Sequence, residues 1–213
     1  MTSAQHDSFA VLRSFVRQQE PKERCELCGA GVAAEHQHLI EPVARKLVCA
    51  CDACALLFDS GRGTKYKRVP RQIRLLTAFH LSDAEWDALS IPIGMAFFLE
   101  SSVEKRVLAF YPSPAGATES MLSLAAWEDI VRNNPVLAGL EPDVEALLVN
   151  RLNHTRDAQA SEYYAVPVDK CYELVGLIRM HWRGLSGGSE VWKQIRAFFD
   201  ELKRRAAPER SYA

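Results

Sequence analysis

The sequence predicts an α+β protein in which a small treble-clef or zinc-ribbon module precedes a mixed α+β domain that ends in two amphipathic helices. Three observations lead to this prediction. Two Cys-x-x-Cys pairs lie near the start of the chain, segments rich in strand-forming residues follow them, and apolar residues recur at helical spacing in two stretches near the end. The predicted organisation is an N-terminal helix over 1–21, a four-cysteine metal-binding module over 22–60, a basic linker over 61–75 and the α+β domain over 76–213.

The first of these elements is a short amphipathic helix before the cysteines. Phe9, Leu12 and Val16 recur at helical spacing, and Asp7 or Ser8 can cap the helix at its N-terminus. We therefore expect a short helix within residues 1–21.

The metal module contains the strongest signal in the sequence, which is a pair of Cys-x-x-Cys motifs. Cys25 and Cys28 form the first pair, and Cys51 and Cys54 form the second. Two intervening residues let both sulfurs of a pair converge on one ion, and two pairs complete the tetrahedral thiolate shell of structural zinc. Gly29 follows the first pair and suits a tight knuckle that needs a positive φ. These four cysteines are the predicted zinc ligands.

The residues between and after the pairs predict the rest of a treble-clef or zinc-ribbon module. Segments 37–40 and 46–48 are the predicted strands of a small hairpin, and 53–58 has helix-forming composition. The second pair would then lie at a helix N-terminus, where the helix dipole favours thiolates. So small a module has little core, and structural zinc can supply on the order of 10 kcal/mol of folding free energy.

Three further residues are candidate ligands or neighbours of the metal. Cys49 lies two residues before Cys51 and would share its side of a strand, so it either displaces one of the four ligands or packs beside them. His36 and His38 also alternate onto one face. Because four sulfurs already satisfy zinc, we favour a surface position or a hydrogen-bonding role near the metal for both histidines over direct ligation.

Iron is the alternative metal. Four thiolates also hold a mononuclear, rubredoxin-like iron ion. Rubredoxin sites usually repeat the glycine that follows the first pair, but Ala55 follows the second pair here. This difference favours zinc.

The segment over 61–75 is basic and contains no acidic residue, and it is the predicted linker. Its candidate contacts with an anion or a nucleic acid are Arg62, Lys65, Lys67 and Arg68. The net charge of the whole chain is only −1, so any attraction to nucleic acid must be local. A solvated loop or a protein-docking surface is the favoured interpretation.

Periodicity and turn residues predict the elements of the α+β domain. They are a helix opened by the capping box of Ser82 and Glu85, a hairpin of 95–99 and 106–110, a helix over 124–132, strands at 146–149 and 163–166, and two closing helices. Small residues over 113–120 and 184–188 admit a small ligand, but a connecting loop and a turn are the simpler interpretations.

The composition also limits localisation and chemistry. The longest apolar run, over 91–99, contains Pro92 and Gly94 and is too short to cross a bilayer. The polar N-terminus lacks the pattern of a signal peptide. We therefore expect a cytoplasmic protein without a membrane span. No set of residues in the sequence is typical of a catalytic site, so an enzyme is not the favoured class.

Four segments together resemble a known family. They are CELCG over 25–29, YPSPAGATES over 111–120, EPDVEALLVNR over 141–151, and the stretch 171–188 with Trp192. The chain is similar, over about residues 22–205, to a bacterial family that is common in actinobacteria and has no assigned chemistry. Its members are often encoded beside genes for high-affinity nickel–iron uptake hydrogenases. The resemblance implies a role in the assembly, maturation or electron supply of a hydrogenase.

These observations favour a zinc-binding accessory or adaptor protein. Its expected partner is a protein, for which the resemblance suggests a hydrogenase subunit or a maturation factor. Two alternatives remain open at this point: an electron carrier with a rubredoxin-like iron ion, and a nucleic-acid-binding regulator that uses the zinc module and the basic segment.

Overall fold

The computed structural model describes residues 23–59, 65–121, 124–152 and 161–207. The helix predicted within 1–21 and the candidate contact Arg62 lie outside these residues. The described strands and helices, in chain order, are β1 (Gln37–Glu41), β2 (Lys46–Ala50), α1 (Asp52–Phe58), β3 (Lys67–Arg68), β4 (Arg74–Leu75), α2 (Asp83–Ala88), β5 (Met95–Ser101), β6 (Arg106–Ser113), β7 (Gly116–Ser120), α3 (Leu124–Asn133), a 3₁₀ helix (Pro135–Gly139), β8 (Glu145–Asn150), β9 (Glu162–Pro167), α4 (Val168–His181) and α5 (Gly188–Arg205). The predicted α+β class is confirmed.

The metal module is built on a small antiparallel sheet. Strands β1 and β2 form the predicted hairpin, with Leu39 opposite Val48. Strand β3 pairs with the other edge of β1, so the strand order is β2-β1-β3. Helix α1 follows β2 directly, and the order of knuckle, hairpin and helix is that of a treble clef. We refer to residues 23–59 and 65–68 as the module and to the described residues from 69 onward as the body.

The body is centred on a six-stranded antiparallel sheet with the order β4-β9-β8-β5-β6-β7. The predicted hairpin is confirmed as β5 and β6, which place Phe97 opposite Phe110. The two strands predicted at 146–149 and 163–166 are also confirmed, as β8 and β9, which pair along their whole length. Sequence neighbours therefore form most of the pairings in this sheet.

Both faces of the sheet are buried. Successive side chains of a strand point to opposite faces, so neighbouring residues lie in different cores. Phe97 lies in the core beneath the two closing helices, α4 and α5. Phe98 lies in a second core beneath α2 and α3, where its ring stacks on Trp127 at a centroid distance of 4.9 Å. The body therefore has three layers, with helices on each side of one sheet.

The two closing helices bury the apolar faces that their periodicity predicts. The buried residues of these predicted faces are Cys171, Leu174, Val175 and Ile178 in α4, and Val191, Ile195, Phe198 and Leu202 in α5. Gly187 connects the helices with a φ of 86°, and a Cβ atom at this position would lie 2.8 Å from a methyl group of Val191. The stretch 184–188 is thus a tight turn between packed helices.

Two segments differ from the sequence prediction. The predicted linker over 61–75 contains β3 and β4, and β4 pairs with β9 at the edge of the large sheet. The predicted connecting loop over 113–120 contains β7, which pairs with β6 as a hairpin. Each of these strands lies at a sheet edge, where backbone hydrogen bonds to a neighbouring strand determine the structure more than local composition does.

Within the four described ranges, none of the helices combines the length and the apolar character that a membrane span requires.

Candidate metal centre

The four predicted zinc ligands come together at one point of the module. The sulfur atoms of Cys25, Cys28, Cys51 and Cys54 all lie within 4.8 Å of one another, and none of the four forms a disulfide. The sulfurs of Cys28 and Cys51 are 3.7 Å apart. Four sulfurs placed 2.3 Å from a central zinc ion form a tetrahedron with edges of about 3.8 Å. The residues therefore fit a tetrahedral metal ion with four thiolate ligands.

The first pair lies in a knuckle that is fixed by backbone hydrogen bonds. The N–H of Gly29 donates to the carbonyl of Cys25, and the N–H of Cys25 donates to the carbonyl of Ala30, both at 2.8 Å. Gly29 has the predicted positive φ, 75°. The N–H of Glu26 donates to the carbonyl of Cys49 at 2.8 Å, which attaches the knuckle to strand β2.

The second pair is positioned by the start of helix α1. Cys51 is the N-cap residue, and its sulfur accepts a hydrogen bond from the N–H of Cys54 at 3.5 Å. This sulfur takes the place of the side-chain oxygen that usually caps a helix. The side chain of Gln37, on β1, donates to the carboxylate of Asp52 at 3.0 Å and ties the first turn of the helix to the hairpin.

The electrostatics of the pocket favour a cation. Burial raises the pKa of Cys25, but hydrogen bonds from the backbone of Cys51, Cys28 and Leu27 outweigh this effect and lower it to about 6. Burial and the neighbouring sulfurs raise the pKa of Cys54 to about 12. The surroundings therefore favour a thiolate at Cys25 but disfavour a second negative charge at Cys54. A bound cation would compensate that charge and let all four sulfurs ionise.

The module has little apolar material besides these sulfurs. Its buried cluster consists of Cys25, Leu39, Ala50, Cys54 and Ala55. Two of these five residues are proposed ligands, so the ion would lie against the module's own core. Metal binding would then replace much of the hydrophobic stabilisation that so small a unit lacks.

Cys49 lies outside the four-cysteine cluster. Its sulfur groups instead with His36 and His38, and the ligand atoms of these three residues lie within 4.8 Å of one another. Burial and the charges of Glu26 and Glu23 raise the pKa of the Cys49 thiol. The side chain of His36 is only 6% exposed. A surface position, which is one of the two roles that the sequence favours for this residue, is therefore wrong.

The basic residues at 65–68 contact acidic or amide groups of the same chain. These contacts fasten β3 to β1 and to the loop before β8, so the charges serve the packing of the module. They are Lys65–Glu41 at 3.3 Å, Lys67–Asp143 at 2.6 Å and Arg68–Gln37 at 3.1 Å. No feature of these contacts favours the nucleic-acid alternative.

The other candidate residues have structural surroundings. Cys171 is fully buried in the body, and burial raises its pKa well above the ordinary value. The hydroxyl of Ser113 contacts Gly116 and Thr118 within the β6–β7 hairpin. These contacts close the turn and give it a role in the fold.

Comparisons with known proteins locate the chain within one family. A model of a family of unknown function, DUF5947, matches residues 24–206 and so includes both cysteine pairs and all but the last residue of the described body. No curated protein and no solved structure matches the chain.

Proposed function

Because the chain belongs to the DUF5947 family, whose function is unknown, we propose a function from its own residues: it is a cytoplasmic accessory or adaptor protein whose module is stabilised by zinc. The observation that carries this proposal is the spacing of the four sulfurs, which matches a tetrahedral shell. A shell of four protein ligands leaves no open position for a substrate, and such closed sites are structural.

Zinc is preferred to iron for two reasons. Structural zinc sites are almost always closed and tetrahedral, and four thiolates are one of their usual ligand sets. The second pair also departs from the glycine-containing knuckle of rubredoxin, because Ala55 follows Cys54 and is buried in the first turn of α1. Iron in place of zinc in the purified protein would indicate the rubredoxin-like electron carrier.

An adaptor needs a surface for its partner, and helix α1 supplies a candidate. Leu56, Leu57 and Phe58 follow the ligand Cys54 and are 67%, 69% and 42% exposed. Clustered exposed apolar side chains often mark protein-binding sites. The metal would fix the start of this helix and thereby hold the three side chains in place. On the basis of the family resemblance, the partner is a hydrogenase subunit or a maturation factor.

The metal part of the proposal is tested on the full chain purified without oxygen. Elemental analysis and an absorption spectrum should give zinc and a colourless protein. Cys28→Ser should lower the zinc content by about one ion per chain, since it removes one of four ligands. Cys171→Ser is the matched control and should leave the zinc content unchanged. Iron with visible absorption would establish the electron carrier instead, and a zinc content insensitive to Cys28→Ser would refute the ligand set.

The partner part is tested by affinity purification from cells that express the hydrogenase genes. The wild-type chain should recover a hydrogenase subunit or a maturation factor. Leu56→Asp should abolish this recovery, because it places a charge in the apolar surface of α1. Val43→Asp is the matched control, since Val43 is also exposed, at 79%, but lies on the β1–β2 turn. Wild-type samples that never contain a hydrogenase component would refute the hydrogenase role.

A further inference from the structure

Three residues outside the four-cysteine cluster present metal-binding atoms on one side of the hairpin. His38 on β1 lies directly opposite Cys49 on β2, and His36 precedes β1 by one residue, so it shares the side of His38. The rings of His36 and His38 are 4.7 Å apart. One ligand atom from each of the three residues lies within 4.8 Å of the others.

His36 has a ring nitrogen without a hydrogen-bond partner. Its Nδ1 is 2.9 Å from the carbonyl oxygen of Ala33 and 3.3 Å from a carboxylate oxygen of Glu23. Both oxygens only accept hydrogen bonds, so Nδ1 carries a proton, and in the neutral ring Nε2 has a free lone pair. Nε2 is buried and makes no hydrogen bond with the described residues. A buried polar atom of this kind destabilises the fold unless a ligand satisfies it.

His38 is oriented in the manner of a metal-binding histidine. Its Nδ1 lies 2.7 Å from a carboxylate oxygen of Asp169, in the first turn of α4. Histidines that bind metals usually donate their other ring N–H to a carboxylate or a carbonyl, which fixes the tautomer and makes the ligating nitrogen more basic. Asp169 thus leaves Nε2 of His38 as the available ligand atom.

We propose that His36, His38 and Cys49 form a second metal site, specific for a divalent transition ion of the zinc class. The ligands are the two Nε2 atoms and the sulfur of Cys49. Two imidazoles and one thiolate suit zinc(II), and carboxylates of Glu23 and Glu26 contact His36 and the backbone of Cys49 and add negative charge nearby. Three protein ligands leave a fourth position for water or for a donor atom from a partner, unlike the closed four-cysteine site.

The second site would connect the module with the body. Its three ligands belong to the module, but the carboxylate that orients His38 belongs to helix α4 of the body. An ion bound to His38 would strengthen this hydrogen bond, because coordination makes the N–H a better donor. The site is therefore placed to sense or stabilise the contact between the two parts of the chain.

The test uses the full chain, purified with excess zinc(II) and then dialysed, and counts the zinc that remains. The wild-type protein should hold about two zinc ions per chain, and Cys49→Ser and Cys28→Ser should each hold about one. His38→Gln is a second variant for the same site, because its amide can still donate to Asp169 but offers no basic nitrogen. Circular dichroism establishes that each variant is folded.

The outcomes separate this proposal from the proposed function. A wild-type content of about one ion that Cys49→Ser and His38→Gln leave unchanged overturns the second site and keeps the four-cysteine site. One ion that is lost with Cys49→Ser but kept with Cys28→Ser supports the second site and overturns the first. For the wild-type chain alone, zinc should shift the ¹⁵N resonances of Nε2 in His36 and His38, and unchanged resonances would overturn the proposal even if no variant folds.

Discussion

Gly29 is the single residue that lets the knuckle of the first cysteine pair adopt its backbone conformation without strain. Its φ of 75° is in the left-handed region, and no atom lies within 4 Å of the place where a Cβ would be. The cost of a side chain here is therefore conformational and not steric, and it amounts to about 1–2 kcal/mol for an L-residue. Gly29→Ala should weaken zinc binding about tenfold in competition with a chromophoric chelator.

Gly31 provides the matched control for this prediction. It belongs to the same loop and also has open space at its Cβ position, but its φ is not positive. Gly31→Ala should leave the zinc affinity unchanged. Equal zinc affinities of the two variants would contradict the role assigned to the backbone of Gly29.

Asn134 is a residue of the body whose side chain replaces missing backbone hydrogen bonds. It is 3% exposed, its Oδ1 accepts from the N–H of His80, and its Nδ2 donates to the carbonyls of His80 and Ile130. Asn134→Ala removes three hydrogen bonds and leaves buried groups unpaired. The free energy of unfolding, measured with denaturant, should fall by about 2–4 kcal/mol.

The neighbouring residue Asn133 is the control. It is exposed, and its side chain donates to Glu85 at 3.2 Å. Asn133→Ala should change the free energy of unfolding by no more than about 0.5 kcal/mol. A similar loss of unfolding free energy in both variants would contradict the role assigned to the hydrogen bonds of Asn134.

At the scale of an element, a capping box fixes the N-terminus of helix α2. The predicted capping box is present: Ser82 Oγ accepts from the N–H of Glu85 at 3.2 Å, and the Glu85 carboxylate accepts from the N–H of Ser82 at 2.8 Å. The hydrogen bonds from the backbone and the hydroxyl of Ser82 lower the pKa of Glu85. Its ionised form therefore stabilises the folded state.

The pH dependence of this contribution has a definite sign. A carboxyl group whose pKa is lower in the folded state stabilises the fold above its unfolded pKa, and this stabilisation is lost as the pH falls through the folded pKa. Glu85→Gln should lower the free energy of unfolding at pH 7 by about 0.5–1 kcal/mol. In thermal unfolding the difference from the wild type should shrink below the ordinary pKa of glutamate, and a constant difference would contradict the assignment.

The elements that sequence patterns predicted are those with local causes. Helices α4 and α5 follow from apolar periodicity, and the β5–β6 hairpin follows from two strand-forming runs around a polar turn. Strand β7 has no such signal, because its residues are small or polar and mostly half-exposed. Its pairing with β6 depends on the position of that strand in the sheet, which the sequence pattern does not reveal.

The candidate site also has a part that local sequence patterns predict and a part that only the fold brings together. Ligand spacing within each cysteine pair is local, so the four-cysteine cluster was predicted from the sequence. The grouping of Cys49 with both histidines depends on the register of the hairpin, in which His38 faces Cys49. The contact between His38 and Asp169 joins residues that are 131 positions apart. Only the folded chain shows that a carboxylate orients this histidine.

At the scale of the whole molecule, a buried side chain of the module belongs to a core of the body. Ile40 of β1 is 2% exposed and belongs to the same buried cluster as Phe97 of the large sheet. The ion pair of Lys67 with the buried carboxylate of Asp143 adds a second connection. Parts of one domain that are joined by buried contacts usually unfold in one transition, so we expect the module and the body to unfold together.

Ile40→Ala tests this coupling. The substitution leaves a cavity between the module and the body and should lower the free energy of unfolding by about 2–4 kcal/mol. Unfolding by denaturant is followed with two probes, zinc release for the module and tryptophan fluorescence for the body. The body contains all the tryptophans of the chain, which are Trp86, Trp127, Trp182 and Trp192.

The two probes should report the same midpoint in the wild-type chain, and Ile40→Ala should shift both to lower denaturant concentration by the same amount. Val43→Ala, on the exposed turn of the same hairpin, should shift neither. If Ile40→Ala advances zinc release while the fluorescence transition stays in place, the module unfolds independently of the body. The contacts of Ile40 with the body would then provide no cooperativity, and the metal would stabilise the module alone.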